Sequence, residues 1–160
     1  MKRILDEAGH EGAPLLRLGM ALDFMRLLWA VDHKLQSLSK RMTRALGVTG
    51  PQRLAIRVVG LLPNISAGDL SHILCVHPST LTGILQRLLA AKLLKIRRDP
   101  GDRRRMRLIL TPRGEKLCGQ GIGGTIESAV RRALKRIDRD QLDAAREVLR
   151  LLERELNSLI

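Results

Sequence analysis

Residues 97–114 read Arg97-Arg-Asp-Pro-Gly-Asp-Arg-Arg-Arg-Met-Arg-Leu-Ile-Leu-Thr-Pro-Arg-Gly114. Asp99-Pro-Gly-Asp102 has the composition of a tight turn. On its near side Leu94, Ile96 and Arg98 alternate with Lys95 and Arg97. On its far side Met106, Leu108 and Leu110 alternate with Arg107 and Ile109. A period of two on both flanks predicts a β-hairpin. Thr111-Pro112 then starts a helix, with Thr as cap and Pro in the first turn. The hairpin gathers Arg97, Arg98, Arg103, Arg104 and Arg105. Like charges repel, so folding alone does not favour that cluster, and an external polyanion does.

Upstream of the hairpin, the period is helical. Pro78 suits the first position of a helix running to about Lys92, with Leu81, Leu85, Leu88 and Leu89 facing inward. Ser66-Ala-Gly-Asp69 is a capping signature for a short helix carrying Leu70, Ile73 and Leu74, and Val76-His77-Pro78 breaks it. Thr49-Gly-Pro-Gln52 opens an earlier helix, with Leu54, Val58, Leu61 and Leu62 as its expected buried face and Pro63-Asn64 as its end. Helix, turn, helix and hairpin in that order make a winged helix-turn-helix. The second helix of such a unit fits the major groove of duplex DNA, and the hairpin carries charge to the adjacent backbone or minor groove.

The flanks are helical too. Leu18, Leu22, Met25, Leu28, Val31, Leu35, Leu38, Met42 and Ala45 form one long apolar stripe that stops at Gly47. After Thr111, an apolar line runs through Cys118, Ile122, Ile126, Ala129, Ala133 and Ile137. Gly119, Gly121, Gly123 and Gly124 interrupt it, and each glycine costs a helix about 1 kcal/mol, so a bend, fraying or close contact is expected there. Asp138-Arg-Asp-Gln141 caps a last helix. Its Leu142, Ala145, Leu149, Leu152, Leu156 and Leu159 form a narrow coiled-coil-like seam suited to a partner. The expected organisation is an arm over 1–13, a long helix over 14–47, the winged lobe over 48–111 and terminal helices over 112–160.

Composition agrees. Of 160 residues 44% are hydrophobic, yet there is one Phe, one Trp and no Tyr, so the core is aliphatic and the fold class mostly α with a small β-hairpin wing. The net charge is +13, and residues 79–107 hold nine basic side chains against Asp99 and Asp102, which places more than half of that surplus in under a fifth of the chain. A solvated basic face would mix acids among the arginines, as the last helix does. Phosphate neutralisation with counterion release is the better account. Cys75 and Cys118, both in apolar surroundings, read as core thiols in a reducing cytoplasm. The basic N-terminus lacks the apolar run of a signal peptide, and Arg17, Asp23 and Arg26 break the only candidate membrane span.

The candidate DNA contacts are Ser79, Thr80, Thr82, Gly83, Gln86 and Arg87 on the second helix, with Arg97, Arg103, Arg104 and Arg105 on the wing. Gln can read adenine and Arg guanine, while Ser and Thr can bond phosphates or bases. Any one of these alone is an ordinary solvent-facing residue; the set on one face beside a basic hairpin carries the reading. Asp102 is placed to orient Arg104 for a narrow minor groove, or else simply stabilises the turn. His72, Cys75 and His77 have spacings that zinc sites use, but they straddle a helix and a turn. They read instead as a buried Cys with surface or capping histidines, so no metal or other cofactor is expected. No catalytic constellation is present, and an enzyme is not expected. An RNA-binding module is a rival, although almost no aromatics are available for base stacking. An adaptor working through the helical seam is another.

Three stretches resemble the MarR family of bacterial transcriptional regulators: Val48-Thr-Gly-Pro-Gln52, Ser79-Thr-Leu-Thr with Leu88-Leu89, and Asp99-Pro-Gly-Asp-Arg-Arg-Arg105 continuing through Leu110-Thr-Pro-Arg-Gly114. The order of elements over 15–160 fits as well. The resemblance implies a triangular homodimer joined by its first and last helices. Its two winged lobes would sit on a palindromic double-stranded operator, in repression relieved by a small ligand or an oxidant. Phe24, Met25, Trp29 and His33, at helical spacing, are either plain core or dimer contacts or the lining of a ligand pocket, for which the resemblance suggests aromatic acids or other lipophilic anions. Oxidant sensing of the family's kind is not expected, because no Cys precedes position 75. Two positions depart from the family: Gly83, where a larger polar residue is usual, and Leu93, where Gly is usual.

Overall fold

Side-chain caps decide where the helices begin. The computed structural model describes residues 19–99, 101, 106–120 and 123–159, and in it α1 spans Gly19–Leu46 and α2 Gly50–Leu61. Thr49 caps α2 in a full capping box with Gln52, and Pro51 occupies the first turn. The two-residue strand β1, Ile65–Ser66, leads into α3, Ala67–Leu74, whose first turn is held by the Ser66 hydroxyl accepting from Asp69 N–H. Helix α4 is Pro78–Ala90, followed by the hairpin strands β2, Leu94–Arg98, and β3, Met106–Leu110. Three further helices close the chain: α5, Pro112–Gly119; α6, Ile126–Leu134; and α7, Arg139–Asn157, the last begun by an Asp138–Gln141 capping box. The antiparallel sheet runs β1–β3–β2, with Leu108 paired to Ile65 on one side and Ile96 on the other.

The chain divides between Gln36 and Ser37 into two units, with α1 running across the division. The described part of the first unit is the earlier portion of α1, where Met20, Leu22, Trp29 and Val31 are exposed. The second unit holds the core. Ile56 and Val59 of α2, Leu70 of α3, Leu81 and Leu88 of α4, Leu94 and Leu108 of the sheet and Leu117 of α5 all bury together. Each such aliphatic side chain contributes about 1.5–3 kcal/mol when fully removed from water.

Helix α2 turns a different face inward from the one its leucines suggest. Leu54, Leu61 and Leu62 are exposed and Val58 is half-buried, while Gln52, Arg53, Ala55, Ile56 and Val59 are buried. Two apolar faces lie side by side on this helix, and periodicity alone cannot say which meets the core. Arg53 decides it: its guanidinium donates to the carbonyls of Leu117 (3.2 Å) and Gln120 (2.7 Å) at the end of α5. Helix α4 is closer to expectation, with Ile84 joining Leu81, Leu85 and Leu88 in the interior and Leu89 only half-buried.

The exit from the wing is a joint in which each residue has a task. Thr111 Oγ1 donates to the Lys92 carbonyl (2.7 Å) and accepts from Gly114 N–H (3.1 Å), so one hydroxyl ties the entry of β2 to the start of α5. The Gly114 backbone lies against the Leu93 carbonyl, and a Cβ there would overlap it. Helix α4 ends in a Schellman arrangement: Leu93 N–H donates to the Leu88 carbonyl and Lys92 N–H to that of Leu89. The left-handed residue of that motif is Lys92, at φ 54°. The leucine at 93 is therefore not forced into a glycine conformation, and it is buried.

The line of apolar residues after Thr111 does not form one helix. Helix α5 stops at Gly119 and α6 begins at Ile126, capped by Thr125 accepting from Ser128 N–H. Gly124 is left-handed, at φ 82°, which suits the turn into α6.

Candidate nucleic-acid interface

Helices α3 and α4 meet through a tied turn. Cys75 ends α3 at φ 51°, Val76 N–H donates to the Ser71 carbonyl, and Ser71 Oγ donates back to the Val76 carbonyl at 2.6 Å. His77 then caps α4: its Nδ1 accepts from Ser79 N–H at 3.3 Å and lies 2.7 Å from Ser79 Oγ. His77 is thus a capping histidine, as the sequence suggests. Cys75 is not the buried thiol expected from its apolar neighbours but is exposed, because the left-handed turn directs it away from the core; Cys118 is half-buried. Among the described residues no three His, Cys, Asp or Glu side chains gather around a potential metal position.

With its N-terminus fixed, α4 presents Ser79, Thr80, Thr82, Gln86 and Arg87 to solvent and keeps Gly83 half-exposed. Thr82 Oγ1 donates to the Pro78 carbonyl (2.9 Å), which leaves its oxygen lone pairs to accept. Nothing lies within 4 Å of where a Gly83 Cβ would stand, so a larger side chain has room at this departure from the family pattern. Alongside, β2 exposes Lys95, Arg97 and Arg98.

Arg107 is directly opposite Arg97 across the hairpin, and like charges in that register repel. Its guanidinium turns inward instead. Nε donates to Asp99 at 2.6 Å and Nη1 to the Asn64 carbonyl at 3.1 Å. Arg107 therefore leaves the group of outward cations in which its sequence position places it, and braces the wing against the end of α2. No spacing rule reveals this, since the partners are eight and forty-three residues away. Asp102, Arg103, Arg104 and Arg105, which the sequence nominates for the wing tip, lie outside the described residues.

Phe24, Met25, Trp29 and His33 are exposed along α1. A cavity of about 400 Å³ lies elsewhere, between α2 and the α5–α6 break, lined by Arg53, Arg57, Glu127 and Arg131 among others. The sequence reading missed this cluster. Its signal was two arginines one turn apart in an otherwise apolar helix.

Residues 46–105 match the MarR family model. Over that stretch the winged lobe is similar to the MarR family. Solved structures agree over most of the chain. The MepR–DNA complex from S. aureus is 17% identical with a TM-score of 0.66, covering 86% of this chain and 98% of that one. A mutant MarR from E. coli complexed with operator DNA is 21% identical with a TM-score of 0.64, covering 82% and 94%. PcaV from Streptomyces coelicolor, in complex with its natural ligand, is 22% identical with a TM-score of 0.63, covering 89% and 96%. At these identities the likeness is one of fold, a winged helix like that of MarR. No curated protein's sequence matches that of the chain. Among the described residues no helix is long and apolar enough to cross a membrane.

Proposed function

We propose that the protein is a sequence-specific, duplex-DNA-binding transcriptional regulator that acts as a homodimer on a palindromic operator and represses until a small lipophilic or aromatic anion releases it. The observation that carries this reading is the pairing of two surfaces. The polar face of α4 is held by the His77 cap and the tied turn before it. Beside it run the exposed Lys95, Arg97 and Arg98 of β2. A rigid polar helix face next to a cationic strand suits base reading on one side and phosphate contact on the other. The solved complexes of MepR and MarR with DNA, and of PcaV with a ligand, support both halves of the proposal by analogy of fold.

Selection of bound fragments from random duplexes tests it. The expected product is an inverted repeat whose half-sites lie about one helical turn, roughly 34–36 Å, apart. Affinity should fall steeply with salt, and RNA of equal length should compete poorly. Replacing Arg87 with Ala should change the preferred sequence. Enrichment of no duplex at low salt, or equal competition by RNA, would remove the regulator reading. Release of the selected duplex by small aromatic acids tests the ligand half.

A further inference from the structure

The cavity at the α5–α6 break has a charge imbalance that neither the core nor a DNA-binding surface explains. Arg53, Arg57, Arg131, Arg132 and Lys135 line it against the single carboxylate of Glu127. Part of this set has structural work. Arg53 and Arg57 donate to the carbonyls of Leu117, Cys118 and Gln120 and so satisfy the open end of α5. Glu127 is shared among Arg57 (3.1 Å), Arg131 (2.9 Å) and, more distantly, Arg53 (3.7 Å). One carboxylate cannot neutralise five cations, and Arg132 and Lys135 add charge on the same side. The Arg53 side chain is only 4% exposed, and its buried Nε–H has no acceptor among the described residues. An open space ringed by cations, with one carboxylate among them, is suited to an oxygen-rich anion.

We infer that this cavity is a binding site for a small multivalent oxyanion, such as a phosphate-bearing or polycarboxylate metabolite, held between α2 and α6. The lining is apolar as well as cationic, but its guanidinium and ammonium groups and the Thr125 and Ser128 hydroxyls offer a polyanion partners that an uncharged ligand would leave unused. Two or more negative charges match the surplus that Glu127 leaves. Gly119, Gln120 and Gly123, near the break between α5 and α6, border the space. Binding here spans α2 and α6, the helix after the break, so an occupant would tie the two together.

The inference is independent of the regulatory reading, and its test contains no DNA. Pyrophosphate and citrate are titrated calorimetrically into the intact protein at constant ionic strength. One saturable site per chain is expected for at least one of them. The Arg57→Ala, Arg132→Ala double variant should weaken that binding about tenfold or more, since each charge-assisted contact is worth roughly that much. Glu127→Gln should tighten it severalfold by removing the resident negative charge, a gain that a damaged fold would not give. Arg97→Ala on the wing should leave it unchanged. The absence of saturable binding at millimolar concentration, loss of binding in the wing variant with retention in the double variant, or unchanged affinity in Glu127→Gln would each overturn the site.

Discussion

Lys92 and Gly114 occupy opposite ends of one joint and make opposite demands on the chain. Lys92 holds a left-handed conformation that costs a residue with a Cβ about 1–2 kcal/mol. Lys92→Gly should therefore raise stability by roughly 0.5–1 kcal/mol, the relief of strain less the greater entropy of an unfolded glycine. At Gly114 the case is reversed: a methyl group would overlap the Leu93 carbonyl, and backbone cannot rotate away as a side chain can. Gly114→Ala should lower stability by about 2 kcal/mol, as an overpacked buried site does. Denaturant midpoints of the two variants against the parent check both signs. A Gly114→Ala protein as stable as the parent would mean that α5 slides freely on β2. The residue pattern Leu-Thr-x-x-Gly was legible in the sequence as a motif. Its reason was not, because the Leu93 carbonyl that forbids a side chain belongs to a segment twenty-one residues earlier.

At the scale of elements, capping chemistry carried most of the information. Thr49, Ser66, Thr111 and Asp138 each announce a helix through an oxygen placed before an open N–H, a local relation that sequence records directly. Facing is a tertiary relation, and there the leucines of α2 misled: Arg53 was the residue with partners waiting across the gap. The wing shows the same division. Its strands follow from alternation, whereas the Asp99–Arg107 brace follows only from register and side-chain reach. The brace makes a test that separates geometry from charge. Asp99→Asn removes a negative charge from a surface proposed to meet phosphates, so charge counting alone predicts tighter DNA binding. We expect the opposite, a loss of about threefold to tenfold, because Arg107 would release the Asn64 end of α2 and turn toward Arg97. Fluorescence anisotropy with the selected duplex at fixed salt decides between them. Tighter binding by the variant would reduce the wing to its net charge.

For the whole molecule, the question is what covers the apolar side chains that the single chain leaves in water. On α7, Leu149 and Leu156 are 57% and 54% exposed, Leu159 just beyond its end is 80% exposed, and α1 leaves Met20 and Trp29 similarly uncovered. An exposed apolar seam along one helix marks a surface suited to a partner. Leu142, Leu149 and Leu156 recur every seven residues, the repeat of a helix that packs along its length against another. The proposed second copy would cover that seam, and it would also bring a second winged lobe to the same duplex. Linking two modest contacts in this way multiplies affinity by about 10²–10⁴ without any new contact at the DNA. Introducing Glu at both 149 and 156 places like charges across such a seam, far from α4 and the wing in sequence. Sedimentation velocity should then report a monomer, and affinity for the inverted repeat should fall about a hundredfold or more, while a single half-site is bound as by the parent. A variant that still sediments as a dimer would move the interface away from α7; a monomer with undiminished affinity for the full repeat would mean that one winged lobe suffices.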